Sequence, residues 1–196
     1  RISIDKNGLI TEILDQYKGK DYDKTIEIAI PGIPNAHSHA FQYAMAGMTE
    51  NHPVDSLSNF WTWRKTMYDL ALNIDPEDMQ NIATMLYSEM LKNGYTHVAE
   101  FHYLHHDKKG KSFENIAEMG SRLIQAAKNA GINITLIPIF YQKGGFGKEA
   151  TIEQRRFISN NIDAYISLFE ASKSLTLNDS SRFKVFFTLV YRSTWS

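Results

Sequence analysis

Two histidines separated by one residue, His37-Ser38-His39, are the side chains in this sequence best suited to chemistry. On an extended strand, side chains at i and i+2 point to the same side. The two imidazoles can therefore converge on one divalent ion while Ser38 faces away. Neutral imidazole is a common metal ligand, and Zn²⁺ accepts its nitrogen at roughly 2.0–2.1 Å. An H-x-H pattern alone is frequent by chance, so its setting matters. Here Ile30-Pro31-Gly32-Ile33-Pro34-Asn35-Ala36 leads into His37-Ser38-His39-Ala40, just past the largely apolar run Ile26–Ile33. That order reads as strand, turn residues, strand end and then ligands. His37 and His39 are the candidate metal ligands.

The elements that must carry this pair follow from periodicity and capping. Asp75-Pro76-Glu77-Asp78 supplies an N-cap, a proline at N1 and acids in the first turn. Met79, Ile82, Ala83, Leu86 and Met90 then recur at helical spacing, and Gly94 supplies the stop. A strand is predicted at Tyr95–Leu104, a helix from Ser112 to Ala130 closed by Gly131, and a strand at Ile132–Tyr141. Thr151-Ile152-Glu153-Gln154 is a capping-box signature that opens a helix with Ile158, Ile162, Tyr165 and Phe169 facing the core. Phe183–Tyr191 is the last predicted strand. Strands alternating with helices argue for parallel βαβ units, in a doubly wound sheet or a (β/α)₈ barrel. No G-x-G-x-x-G follows the first strand, which weakens the dinucleotide-binding reading. Ligands at the C-terminal end of a strand favour the barrel, whose active sites lie on that face.

Ahead of the histidines, residues 1–30 read as three short strands of a partial N-terminal β domain: Ile2 and Ile4, Leu9–Leu14, then Ile26, Ile28 and Ile30. Asn7-Gly8 is a hairpin turn signal. Three short strands bury little by themselves, so this reads as one edge of a small β-sandwich completed by other sequence. The expected fold is thus α/β: the N-terminal half of a (β/α)₈ barrel over 31–196, preceded by those strands.

Bulk properties exclude several classes. The 196 residues carry 21 basic and 22 acidic side chains, a net charge of −1, which leaves no electrostatic footprint for nucleic acid. Lys108-Lys109-Gly110-Lys111 is the densest basic cluster and reads as a solvated turn. Cysteine is absent, which excludes disulfides and thiolate metal sites and suits a cytoplasmic location. No apolar stretch approaches the ~18–20 residues of a membrane span, and the N-terminus lacks signal-peptide regions.

Several stretches together carry a family resemblance. P-G-x-x-x-x-H-x-H at Pro31–His39 is similar to the first barrel strand of the amidohydrolase superfamily. His37–Gln42 running into Ala44–Glu50, Phe60-Trp61-Thr62-Trp63-Arg64 with Met67-Tyr68, and Glu100-Phe101-His102-Tyr103-Leu104-His105-His106-Asp107 closely resemble the formimidoylglutamate deiminases. Gly144–Gly147 and Gln154-Arg155-Arg156-Phe157 extend the likeness. The resemblance implies metal-dependent hydrolysis of N-formimidoyl-L-glutamate to N-formyl-L-glutamate and ammonia, in histidine degradation. It implies Zn²⁺ or a similar divalent ion on His37 and His39, with substrate contacts at Gln42, Arg64 and Tyr103. Those residue types suit a glutamate-bearing substrate. A guanidinium holds a carboxylate through a bidentate fork, and a phenol and an amide add directional hydrogen bonds. The partner implied is a small-molecule substrate, and the resemblance admits a homodimer for a full-length parent.

Plainer readings stand beside these. Arg64 can be a surface arginine stacked on Trp61 or Trp63, and Tyr103 can pack with a wet hydroxyl. His105 and His106 read as a solvated loop pair, His52 and His97 as ordinary surface or strand-start histidines, and His102 as outward-packing if Tyr103 points into the barrel. Two departures from the family also appear. Tyr141–Phe146 lacks a histidine the family carries, and Val190–Ser196 places Arg192 and Trp195 where the family has a histidine and an arginine. The acid–base groups and further ligands of an amidohydrolase come from later strands, so no catalytic residue is expected here and the chain reads as truncated and inactive alone. The alternatives are another amidohydrolase deaminase acting on a purine or cyclic amidine, or a non-catalytic fragment or binding module.

Overall fold

A computed structural model describes residues 1–48, 60–145, 147–178 and 182–186, with the side chains of Phe60 and Trp61 not described. The chain divides into two units, Arg1–Pro31 and Gly32–Ser196. In the first unit, β1 (Ile2–Ile4) and β2 (Ile10–Ile13) form an antiparallel hairpin. Its turn is held by the Asp5 carboxylate, which accepts the N–H groups of Asn7 and Leu9 at 2.8 and 2.9 Å. The third strand expected at Ile26–Ile30 does not form. Ile26, Ile28 and Ile30 are 65%, 81% and 75% exposed, because no neighbouring strand within the unit offers them a ladder.

The second unit is a four-stranded sheet in the order β3 (Ile33–Ser38), β4 (Tyr95–His102), β5 (Asn133–Pro138), β6 (Phe183–Val185). All three pairings are parallel. Each strand pairs with the next in sequence, so these four show no reversal of order. That is barrel winding, whereas a doubly wound sheet has a switch point. The helices are α1 (Phe60–Asn73), α2 (Pro76–Lys92), α3 (Glu118–Ala130) and α4 (Ile162–Ser174).

The Asp75–Asp78 signal is realised as a reciprocal capping box at the start of α2. α3, in contrast, begins at Glu118, later than Ser112, because the Asn115 side chain accepts the Ala117 N–H and turns the chain first. The Thr151–Gln154 capping box also forms, but it opens only the 3₁₀ turn Ile152–Gln154. α4 starts afresh at Asn161, whose side chain accepts the Ala164 N–H. The expected Tyr95–Leu104 and Ile132–Tyr141 strands are shorter than predicted, and residues 187–196, including Arg192 and Trp195, lie outside the described residues. Among the described residues no helix is long and apolar enough to cross a membrane.

One face of the sheet packs on the helices, with Val98, Ile134, Leu136 and Phe183 against Tyr87, Met119, Leu123 and Ala127. Gly120 permits the approach of α3: a Cβ there would lie 3.2 Å from a Leu136 methyl. A buried guanidinium ties the connecting loops together. Arg156, 1% exposed, donates from Nε to the His106 carbonyl and from Nη1 to the carbonyls of Ala71 and Ile74 at the C-terminal end of α1. Its own carbonyl accepts the N–H groups of His105 and His106. Replacing Arg156 with Met strands these buried carbonyls, each worth about 1–3 kcal/mol when left unpaired. Urea unfolding of Arg156→Met should show a loss of about 3 kcal/mol or more. A loss below ~1 kcal/mol would show that the tie is dispensable.

Candidate active site

β3 delivers the histidine pair, but not as a regular strand. Its pairing with β4 slips twice, between Ile33 and Pro34 and again between Asn35 and Ser38. Pro34 has no N–H to give the ladder, and the second slip leaves Ala36 and His37 opposite a single residue of β4. A bulge of this kind re-aims the side chains at the strand's end. Asn35 steadies it by accepting the His37 N–H at 3.1 Å. Side-chain parity survives: Ser38 is buried, while His37 is exposed and His39 half-buried on the other side.

The imidazoles meet edge-on, ring centroids 4.6 Å apart, with Nε2 of His37 and Nε2 of His39 3.0 Å from each other. Two nitrogens on one tetrahedral Zn²⁺, each at about 2.05 Å, would sit about 3.3 Å apart. The spacing fits a shared ion. His39 Nδ1 lies 3.0 Å from the carbonyl oxygen of Phe101, which can only accept, so Nδ1 carries the proton and the Nε2 lone pair faces His37. Fixing the outer nitrogen in this way is how metal-binding histidines are oriented. The Phe101 ring lies under His37 at 4.4 Å. Among the described residues no third His, Asp or Glu joins them.

The other three predicted residues fall on the elements around this pair. His39 opens a 3₁₀ turn, Ala40–Met45, which carries Gln42. Gln42 Nε2 lies 3.6 Å from Met67 Sδ on α1. One turn of that helix places Arg64 beside Tyr68: Nη2 donates to the phenolic oxygen at 3.3 Å, and the guanidinium lies 5.4 Å from the ring centroid. Tyr68 is thus an aromatic neighbour of Arg64, and the Trp61 side chain lies outside what the structure describes. Tyr103, just past β4, stacks obliquely on His39 at 5.1 Å and continues to Tyr141 and Phe157 at 6.3 and 6.1 Å. Phe157 in turn meets Tyr68 at 5.7 Å. An unbroken run of rings therefore links the histidine pair to the residue that holds Arg64.

Residues not predicted for the site complete it. Gln154, fully buried, accepts the Thr151 N–H with Oε1 at 2.9 Å, which leaves its amide nitrogen to donate to Tyr68 and Tyr141 at 3.0 and 2.8 Å. Burial raises the Tyr68 phenol, but the donors Gln154 and Arg64 outweigh it and the net shift is downward. In the sequence, Tyr68 was marked by its place in the Met67-Tyr68 stretch of the family resemblance and by its spacing four residues from Arg64. Glu100 is the other. It is 2% exposed on the helix-facing side of β4, and Oε1 accepts the Ala40 N–H at 2.6 Å. Burial pushes its carboxyl up to about 7, against the pull of Ala40, Ser38 and Tyr87.

His105 is buried and His106 half-buried, where a solvated loop pair was expected. The loop after β4 folds back, and their Nε2 atoms bond the carbonyls of Ile139 and Ile158 at 3.0 and 2.8 Å. His102 does pack away from the Tyr103 side, buried 4.8 Å from His105. His97 lies on β4 with Nε2 2.8 Å from the Thr135 hydroxyl, and His52 lies outside the described residues.

The amidohydrolase family profile matches residues 28–176. The chain belongs to the amidohydrolase family. It is 46% identical over 173 residues to formimidoylglutamate deiminase of Pseudomonas aeruginosa, covering 87% of this chain and 37% of that protein. It is 28% identical to 5-methylthioadenosine/S-adenosylhomocysteine deaminase of Halothermothrix orenii, over 62% of the chain and 30% of the relative. The crystal structure of an amidohydrolase from Brucella melitensis superposes with a TM-score of 0.88 at 38% identity, covering 96% of this chain and 41% of that one. The chain thus spans less than half the length of these amidohydrolases, and its sheet is the N-terminal part of their barrel.

The buried histidines make stability pH-dependent. Burial, with His106 nearby, outweighs the Ile139 bond and holds His105 down to about 4, and burial also lowers His102. The unfolded chain takes up these protons near pH 6.5 and the folded chain does not, so stability is lost as pH falls through that window. Glu100 works oppositely between its ordinary value and about 7, holding a proton in the folded state that the unfolded chain releases. A variant separates the two. Between pH 6.5 and 4 the chain should lose on the order of 3 kcal/mol more than His105→Gln, read from urea midpoints. Parallel curves would show that His105 titrates normally.

Proposed function

We propose that this chain is the N-terminal portion, a partial β domain over 1–30 and a partial barrel over 31–196, of an enzyme that hydrolyses N-formimidoyl-L-glutamate to N-formyl-L-glutamate and ammonia. The observation that carries the reading is the continuous arrangement from the paired Nε2 atoms of His37 and His39, along Tyr103, Phe157 and Tyr68, to the Arg64 guanidinium. The 46% identity to a formimidoylglutamate deiminase supports the choice of substrate.

In this reading His37 and His39 hold a divalent ion, Zn²⁺ or a similar metal, which when bound supplies Lewis acidity and lowers the pKa of water. His39 presents its Nε2 lone pair because Phe101 occupies Nδ1–H. Arg64 binds a carboxylate of the substrate's glutamate portion, and Gln42 and Tyr103 supply directional hydrogen bonds between that end and the histidines. Hydrolysis adds water at the formimidoyl carbon and expels ammonia, with proton transfers performed by groups outside this chain. The 196-residue chain alone turns over nothing.

Two measurements check this. Zn²⁺ titration of the chain should show weak binding that either His37→Ala or His39→Ala removes, since two protein ligands fall short of the three usual at catalytic zinc. Unchanged binding in both variants would sink the metal assignment. Joined to the remaining barrel of the Pseudomonas deiminase, the chain should release ammonia from N-formimidoyl-L-glutamate. In that fusion Arg64→Ala should cost about 10- to 100-fold in kcat/KM with metal content unchanged, the loss of a charge-assisted contact. Faster turnover of a purine than of the glutamate derivative would select a ring deaminase instead.

A further inference from the structure

Among the described residues Glu100 is the one buried carboxylate, and its surroundings do not serve stability well. Only Oε1 has a partner of regular geometry, the Ala40 N–H at 2.6 Å. Oε2 and the hydroxyl of Tyr87 are both buried without one among the described residues. A carboxylate left half-satisfied in the interior costs several kcal/mol that an apolar side chain of similar size would not.

What the carboxylate holds is local and specific. Ser38 stands opposite Glu100 in the β3–β4 register, and both side chains are buried. Ala40 and Ser38 are the two residues that flank His39. The next residue along β4, Phe101, supplies the carbonyl that takes His39 Nδ1–H. One short stretch of β4 therefore grips His39 through the backbone after it and through the ring itself. The bulge before Ser38 removes regular ladder bonds at this point, so the grip on the strand end must come from elsewhere.

We propose that Glu100 is a positioning residue for the histidine pair: by holding the Ala40 N–H, its carboxylate keeps His39 in the one tautomer and orientation that aims Nε2 at His37. The inference rests on the metal reading for its purpose. Its geometry can be tested without metal.

The test uses the 196-residue chain with ¹⁵N-labelled histidine, kept above the titration range of imidazole. Long-range ¹H–¹⁵N correlation should show His39 as a single Nδ1–H tautomer, and hydrogen exchange should show a protected Ala40 amide. Glu100→Ala should give mixed tautomers at His39, a loss of Ala40 protection of about tenfold or more, and Zn²⁺ affinity reduced about 10- to 100-fold, the usual cost of losing an outer partner. Glu100→Gln keeps an acceptor at the same reach and should restore all three. Glu100→Asp keeps the charge but withdraws it by one methylene, and should behave like Glu100→Ala. The Gln and Asp variants decide the matter if the Ala variant does not fold. A single His39 tautomer with a protected Ala40 amide in folded Glu100→Asp or Glu100→Ala would overturn the proposal. Zn²⁺ binding unaffected by His37→Ala would instead overturn the metal reading, with the tautomer result standing separately.

Discussion

The parallel pairing of β3 with β4 is the constraint on which the site depends. It brings the Phe101 carbonyl to His39 Nδ1 and sets Ser38 opposite Glu100. Because paired residues in a ladder point to the same side, Ser38 and Glu100 share the helix-facing side while the histidines take the other. A slip of one residue would reverse this and turn the imidazoles into the helix layer. Two compensating irregularities, one at Pro34 and one before Ser38, keep the overall register while turning the strand's last residues.

Away from the strands, single polar side chains join several elements at once. Gln154 uses its carbonyl for its own turn and its amide for two tyrosines, one on α1 and one after β5. Arg156, two residues on, bridges the end of α1 to the loop after β4. The first tie supports Arg64 through Tyr68, and the second fixes the loop that follows Tyr103. Both put directional bonds where loops would otherwise leave backbone groups unpaired.

The histidines divide by environment. His37 and His39 converge with a ring nitrogen of each facing the other, and the outer nitrogen of His39 is taken by the Phe101 carbonyl. His105 and His106 each spend Nε2 on a backbone carbonyl, and their Nδ1 atoms are buried with no partner among the described residues. Burial favours the neutral form of His105, and charging it would put a second N–H in that unpartnered position. Residue type alone does not separate a ligand from a packing group; the partner of each nitrogen does.

Much of this was legible in the sequence. Spacing placed His37 and His39 on one side of a strand, capping residues marked the start of α2, and the alternation of elements indicated parallel βαβ units. These are short-range consequences of strand parity, caps and periodicity, and they need no partner to be true. The amphipathic α1, the interruption between the Thr151 capping box and α4, and the late start of α3 were not legible. The last two turn on which backbone groups find partners in the folded chain, at Asn161 and Asn115. The third N-terminal strand failed for the same reason, since an apolar alternation becomes a strand only where another strand accepts its hydrogen bonds. Tyr68, Gln154 and Glu100 join the site from 86 residues apart in one bond and 60 in another. Sequence determined the donors; only tertiary structure decided their partners, because a hydrogen bond depends on distance and angle between groups that the chain order leaves far apart.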